Sequence, residues 1–134
     1  MIQLIVGDKG TGKTKQMIEI INHNVKIATG NVVCIEKGMK LTFNLDHKCR
    51  LIDMEEYAIS GYDMLYGFIS GILACNYDIE QIFIDGILKI LDKNLDTLGR
   101  LLEALENLHS ENVTFVITVS SSLNSLPESV KKYV

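Results

Sequence analysis

The sequence predicts an α/β fold of three layers, a mostly parallel central sheet with helices on both faces. Three observations lead there. Short runs of β-branched and aliphatic residues recur along the 134 residues. Segments with apolar residues at helical spacing lie between them. Strand and helix alternate throughout, which implies βαβ units joined by right-handed crossovers. In such sheets ligands sit at the carboxyl ends of the strands.

Taken in order, Ile2-Gln3-Leu4-Ile5-Val6 reads as a buried strand. From Lys13 onward, apolar residues at 17, 18, 20 and 21 mark a helix, and Val25 to Gly30 reads as a turn. Asn31 to Ile35 is a second buried strand, closed by Glu36-Lys37-Gly38. Residues 38 to 48 carry little pattern; Thr42 to Leu45 is either a short extended piece or part of a loop. Cys49 to Ile52 reads as a third strand with Asp53 at its carboxyl end, and 53 to 57 as a helical turn.

Ser60 then begins the clearest helix. Ser60-x-x-Asp63 is similar to a capping box, and apolar residues follow at 64, 65, 68, 69, 72 and 73. Gly67-x-x-x-Gly71 within it suits close packing on the sheet, or alternatively a dimer contact; packing on the sheet is the expectation in a soluble chain. Ile82-Phe83-Ile84 is a buried strand ending in Asp85. Lys93 to His109 is a helix, Val113 to Val119 the last strand, Ser120 to Ser122 a loop, and Pro127 to Tyr133 a short closing helix.

Composition bounds the function. The length suits one compact domain over residues 1–134, and 47% hydrophobic with 22% charged residues is ordinary for a globular core. A formal net charge of −4 without a basic stretch gives no support for nucleic-acid binding. Cys34, Cys49 and Cys75 are odd in number and widely spaced, so they read as buried reduced thiols of a cytoplasmic protein. His23, His47 and His109 read as surface or loop residues. No secretory leader pattern precedes the first strand, and the longest apolar stretch, 64 to 75, is too short to span a bilayer.

The chemistry is concentrated at Gly7-Asp8-Lys9-Gly10-Thr11-Gly12-Lys13-Thr14, which fits G-x-x-x-x-G-K-[ST], the phosphate-binding P-loop or Walker A motif. It lies between the first strand and the first helix, where that mechanism needs it. Glycines let the backbone curl, the curled loop points successive N–H groups inward, and the helix adds unpaired N–H groups and the positive end of its dipole. Lys13 would reach the β- and γ-phosphates of a nucleotide, and Thr14 would offer its hydroxyl to Mg²⁺. By period-2 alternation the last strand turns Thr114, Val116, Thr118 and Ser120 to one face, so Thr118 or Ser120 is placed to sense a phosphate; Thr is also simply a good strand former.

With Gly7 to Thr14 and Ile82 to Asp85 set on alternating strands and helices, the chain resembles the P-loop NTPase superfamily. In its strand count and polar last strand it looks more similar to the branch holding RecA-like and AAA-type ATPases than to GTPases, and no N-K-x-D sequence is present. The resemblance implies that Asp85 holds Mg²⁺ through water; the plain alternative is an acid starting a turn before Gly86. Many ATPases carry Glu directly after that acid, where this chain has Gly86. Some relatives carry the glutamate at the end of the strand after the P-loop helix, where this chain has Glu36. Glu36 is therefore the candidate base for the attacking water, Asp53 a second, and a solvated charge the alternative.

The resemblance thus implies binding of ATP with Mg²⁺ through residues 7 to 14, and slow hydrolysis of the γ-phosphate. Only two arginines, Arg50 and Arg100, are present. A stabilising arginine would then come from a partner protein or a second copy. Two other readings stand beside this one: a phosphotransferase acting on a small acceptor, with Lys37, Lys40, Lys48 and Arg50 on a lid, and a non-catalytic switch module.

Overall fold

A computed structural model of the chain describes residues 1–38, 40–41, 44–108 and 112–134. Strands β1 (Ile2–Gly7), β2 (Asn31–Glu36), β3 (Cys49–Asp53), β4 (Ile79–Asp85) and β5 (Thr114–Ser120) form one sheet. Its order is β1-β5-β4-β2-β3, and every pairing is parallel. The helices are α1 (Lys13–Ile27), α2 (Gly61–Cys75), α3 (Ile87–Ile90), α4 (Leu95–Glu106) and α5 (Glu128–Lys131), with a 3-10 turn at Leu123–Ser125.

The expected three-layer α/β/α arrangement is what forms. Met17, Ile21 and Val25 of α1 pack on Ile5, Val32, Cys34, Phe83 and Val116 across one face. Leu65 and Ile69 of α2, Leu98, Leu101, Leu102 and Leu105 of α4, and Val130 of α5 cover the other. Because both faces are covered, strand interiors are apolar at successive positions; Ile82, Phe83 and Ile84 of β4 are all fully buried. The crossover from β1 to β2 passes over the α1 face, and those from β3 to β4 and β4 to β5 return under the opposite face, the hand expected of βαβ units.

Several local expectations change. Helix α1 continues to Ile27, through what reads in sequence as a turn, because Val25 completes its buried stripe. The box at Ser60 does not form: Ser60 makes no side-chain capping bond, and Gly61 starts α2 at φ +83°, which turns Ser60 out of the capping position. Asn94 instead caps α4, accepting from Thr97 N–H at 3.0 Å. Gly67 and Gly71 do not pack on the sheet. Leu65 and Ile69 occupy the buried face of α2, and both glycines are exposed, with nothing within 4 Å of where a Cβ would stand. Cys75, at the end of α2, is exposed, whereas Cys34 and Cys49 are buried.

Thr42, Phe43 and His109 lie outside the described residues. No described helix is long and apolar enough to cross a membrane.

Candidate functional site at the carboxyl edge of the sheet

The loop after β1 is wound around one carbonyl oxygen. Asp8 O accepts from Thr11 N at 3.3 Å, from Thr11 Oγ1 at 2.7 Å and from Lys13 Nζ at 2.8 Å. The winding needs glycine in two ways. A Cβ on Gly7 would lie 2.6 Å from Thr11 Oγ1, so that hydroxyl would have to turn away from Asp8 O. Gly12 precedes α1 at φ +84°, in the left-handed region that favours glycine. The first helical amides of α1 have no partner inside the helix, and no acidic residue stands in its first turn to neutralise them.

The sheet order then brings in side chains that are far apart in sequence. Because β5 lies between β1 and β4, Thr118 stands beside Asp85 and is buried, at 2% exposure. Its Oγ1 donates to Asp85 Oδ1 at 2.8 Å and accepts from Gly86 N at 2.7 Å, which fixes the carboxylate. From α1, Thr14 Oγ1 lies 3.3 Å from both Asp85 oxygens. A hydroxyl and a carboxylate thus meet at one spot, a donor set of hard oxygens. Among the described residues no cluster of three or more His, Cys, Asp or Glu side chains is arranged to hold a metal.

A cavity of about 740 Å³ opens beside this spot, and Lys9, Gly10, Gly12, Lys13, Thr14, Asp85, Thr118 and Ser120 belong to its lining. Gly10 and Gly12 have nothing within 4 Å of where a Cβ would be, so the backbone faces open space there. Glycine backbone and lysine side chains thus line one half-open volume with a single carboxylate at its side. Chemically that volume suits a polyanion accompanied by a hard cation.

Glu36 and Asp53 lie on the same edge but outside the cavity lining. Glu36 pairs in register with Asp85 on one side and Asp53 on the other. It is 3% exposed, and its Oε2 accepts from Leu41 N at 3.2 Å. Burial pushes its carboxyl above the usual carboxylate range; the Leu41 N–H pulls the other way, and the neighbouring Asp85 charge pushes it further up. Asp53 Oδ1 accepts from Gly38 N at 2.7 Å and Glu55 N at 2.9 Å.

Two lysines of the cavity escaped the sequence reading, Lys89 on α3 and Lys93 just after it. The one available signal was their spacing four residues apart beyond Asp85. Neither arginine lines the cavity; Arg100 stands over the Tyr62 ring at 5.1 Å and Arg50 is exposed on β3. Lys37, Lys40 and Lys48 are also exposed and outside the lining.

No protein-family model matches the chain, and no curated protein matches it in sequence.

Proposed function

We propose that the chain is a P-loop NTPase that binds a nucleoside triphosphate, ATP foremost, with Mg²⁺ at the carboxyl edge of β1, β5 and β4, and hydrolyses the γ-phosphate slowly. One observation carries this reading. The Gly7–Thr14 loop, which fits the phosphate-binding pattern, delivers the Thr14 hydroxyl to 3.3 Å from Asp85, the acid ending a strand two places away in the sheet.

In this reading the amides of residues 9 to 14 and the Lys13 ammonium hold the phosphates. Thr14 and Asp85 hold the ion, which, when bound, neutralises charge developing on the phosphoryl oxygens. Thr118 keeps the Asp85 carboxylate turned towards Thr14. Glu36, in register with Asp85 on the neighbouring strand, is the nearest further carboxylate for the attacking water, and it takes that proton only once its side chain leaves Leu41 N–H for the cavity. Burial and the neighbouring Asp85 charge raise its proton affinity, the direction in which a base gains strength.

The test is thermal denaturation with and without ATP and Mg²⁺. A ligand that binds only the native state, at a hundredfold excess over Kd, stabilises by about 2.7 kcal/mol and raises the midpoint by roughly 10 °C. Lys13→Ala is expected to abolish most of that rise. A wild-type midpoint indifferent to every nucleotide, with and without Mg²⁺, removes the proposal.

A further inference from the structure

The cavity is far more basic than the chain. Lys9, Lys13, Lys89 and Lys93 line it, four of 13 basic side chains, against Asp85 alone of 17 acidic ones. Four positive charges less one negative leave +3 at a single cavity of a chain whose formal charge is −4. Lys9 and Lys13 belong to the loop after β1. Lys89 and Lys93 come from α3 and the turn after it, beyond Asp85 in sequence, and the phosphate-binding pattern does not account for them.

Local structure puts both there. Gly86, at φ +69°, turns the chain from β4 into α3, and the stem of Lys89 folds back over it; a Cβ on Gly86 would lie 3.4 Å from Lys89 Cδ. Helix α3 then ends within one turn. Lys93 N donates to Leu88 O at 2.7 Å, a closure of the kind that ends helices in the left-handed region. Asp92 and Lys93 take φ values of +54° and +59°, which side chains rarely adopt, so this turn is strained next to the cavity. Both lysines are exposed, and neither enters an ion pair among the described residues. Two lysines, one on α3 and one on the strained turn after it, line this cavity without an ion pair among the described residues, and so offer unneutralised positive charge to an anion on their side.

We propose that Lys89 and Lys93 are the cations that meet the terminal phosphoryl group of the bound nucleotide, supplied by the same chain that supplies the P-loop. The inference rests on the nucleotide reading above and adds two contacts to it. It also removes the need for an arginine from a second subunit. Charge on a transferred phosphoryl group is met most effectively by donors already at the site, and these two lysines share the lining of the Asp85 cavity within one chain.

The experiment measures Kd for ATP and for ADP, each with Mg²⁺, by calorimetry, on wild type and on the double variant Lys89→Gln, Lys93→Gln. The wild type is expected to prefer the triphosphate. The double variant is expected to lose at least tenfold of that preference while its affinity for ADP changes little, because the diphosphate lacks the group the lysines meet. Turnover is expected to fall by about 10²–10³-fold, with partial recovery in Lys89→Arg, Lys93→Arg. The midpoint without nucleotide should stay within a few degrees, both side chains being exposed. Mixing the double variant with Lys13→Ala decides whether the cations act in cis. Restored turnover in the mixture means that a second copy provides them, and overturns the same-chain assignment. An unchanged ATP-to-ADP preference overturns the phosphoryl contact itself. If neither nucleotide binds the wild type, the function proposed above fails and this inference falls with it.

Discussion

The carboxyl edge of the sheet has two halves with opposite habits. On the β1, β5 and β4 half, polar groups are left facing a cavity: helix amides, lysines, and a Thr14–Asp85 pair at 3.3 Å. On the β2 and β3 half, the carboxylates are satisfied by the chain's own amides: Glu36 by Leu41, and Asp53 by Gly38 and Glu55. The same sheet and the same strand-end position produce an open cavity in one place and a closed polar joint in the other. The difference lies in the segment that leaves each strand. After β1 the loop is short, glycine-rich and runs straight into a helix. After β2, Leu41 is buried, and the N–H groups of Gly38 and Leu41 lie on the acids. An acid at a strand end is therefore not by itself a site; what matters is whether local backbone has already used it.

The largest effect expected from a single change on the open half, beyond the loss of Lys13, is at Asp85. Asp85→Asn keeps an oxygen for the Thr118 hydroxyl, so the fold should hold, but the charge facing Thr14 is gone. In the wild type, Mg²⁺ should deepen the thermal shift given by ATP. In Asp85→Asn the shifts with and without Mg²⁺ should coincide, and turnover should fall by about 10²-fold or more. Removing the Asp85 charge also removes one of the influences that push the Glu36 carboxyl up, so its proton affinity should drop. A variant whose response to Mg²⁺ matched the wild type would erase the distinction between the halves.

Glu36 sits where the halves meet, and Glu36→Gln tests to which it belongs. Its folded-state pKa lies above the ordinary value, so the native state holds the proton more tightly than the unfolded chain. As pH rises from the usual carboxylate range through the raised value, the native state binds more protons than the unfolded one, and stability falls. Above that window the whole penalty is present; below the usual carboxylate range it is absent. Glu36→Gln removes it. The midpoint of the variant should exceed that of the wild type at about pH 8 and approach it at about pH 4, while turnover is lost. A variant that is less stable at the higher pH and still hydrolyses ATP would assign Glu36 to the closed joint alone.

Much of the open half was legible because its signals are local. Gly7, Gly12, Lys13 and Thr14 stand at fixed spacing, and backbone curvature there follows from residue type. The sheet itself was legible from runs such as Asn31–Ile35 and Val113–Val119, since strands covered on both faces are apolar at consecutive positions. What escaped depends on neighbours distant in sequence or on elements too short to show a period. That Thr118 holds Asp85 is a consequence of β5 lying between β1 and β4, which no local pattern encodes. Helix α3 has four residues, about one turn, so Lys89 and Lys93 carried no helical signature. The opposite error occurred at Gly67 and Gly71, where a packing motif was legible but the buried face of α2 runs through Leu65 and Ile69 instead. Closure of the β2 and β3 half was hidden for a related reason: residues 38 to 48 have no periodicity, and the amides that occupy Glu36 and Asp53 come from in and around that stretch.

The smallest effect belongs to Asp53, and it sharpens the contrast most cleanly. Asp53→Ala strips Gly38 N–H and Glu55 N–H of their acceptor in a place where Asp53 is only 9% exposed. Leaving partly buried amides unsatisfied costs about 1–3 kcal/mol, and the turn from Met54 to Ile59 loses its anchor to the end of β3. The midpoint should therefore drop by several degrees. Gly38, Asp53 and Glu55 are not part of the cavity lining, so the additional rise given by ATP with Mg²⁺ should match that of the wild type. Denaturation curves with and without nucleotide measure both quantities in one experiment. A reduced nucleotide shift in Asp53→Ala would mean that the two halves share one ligand site, and the boundary drawn at β4 would have to move to β3.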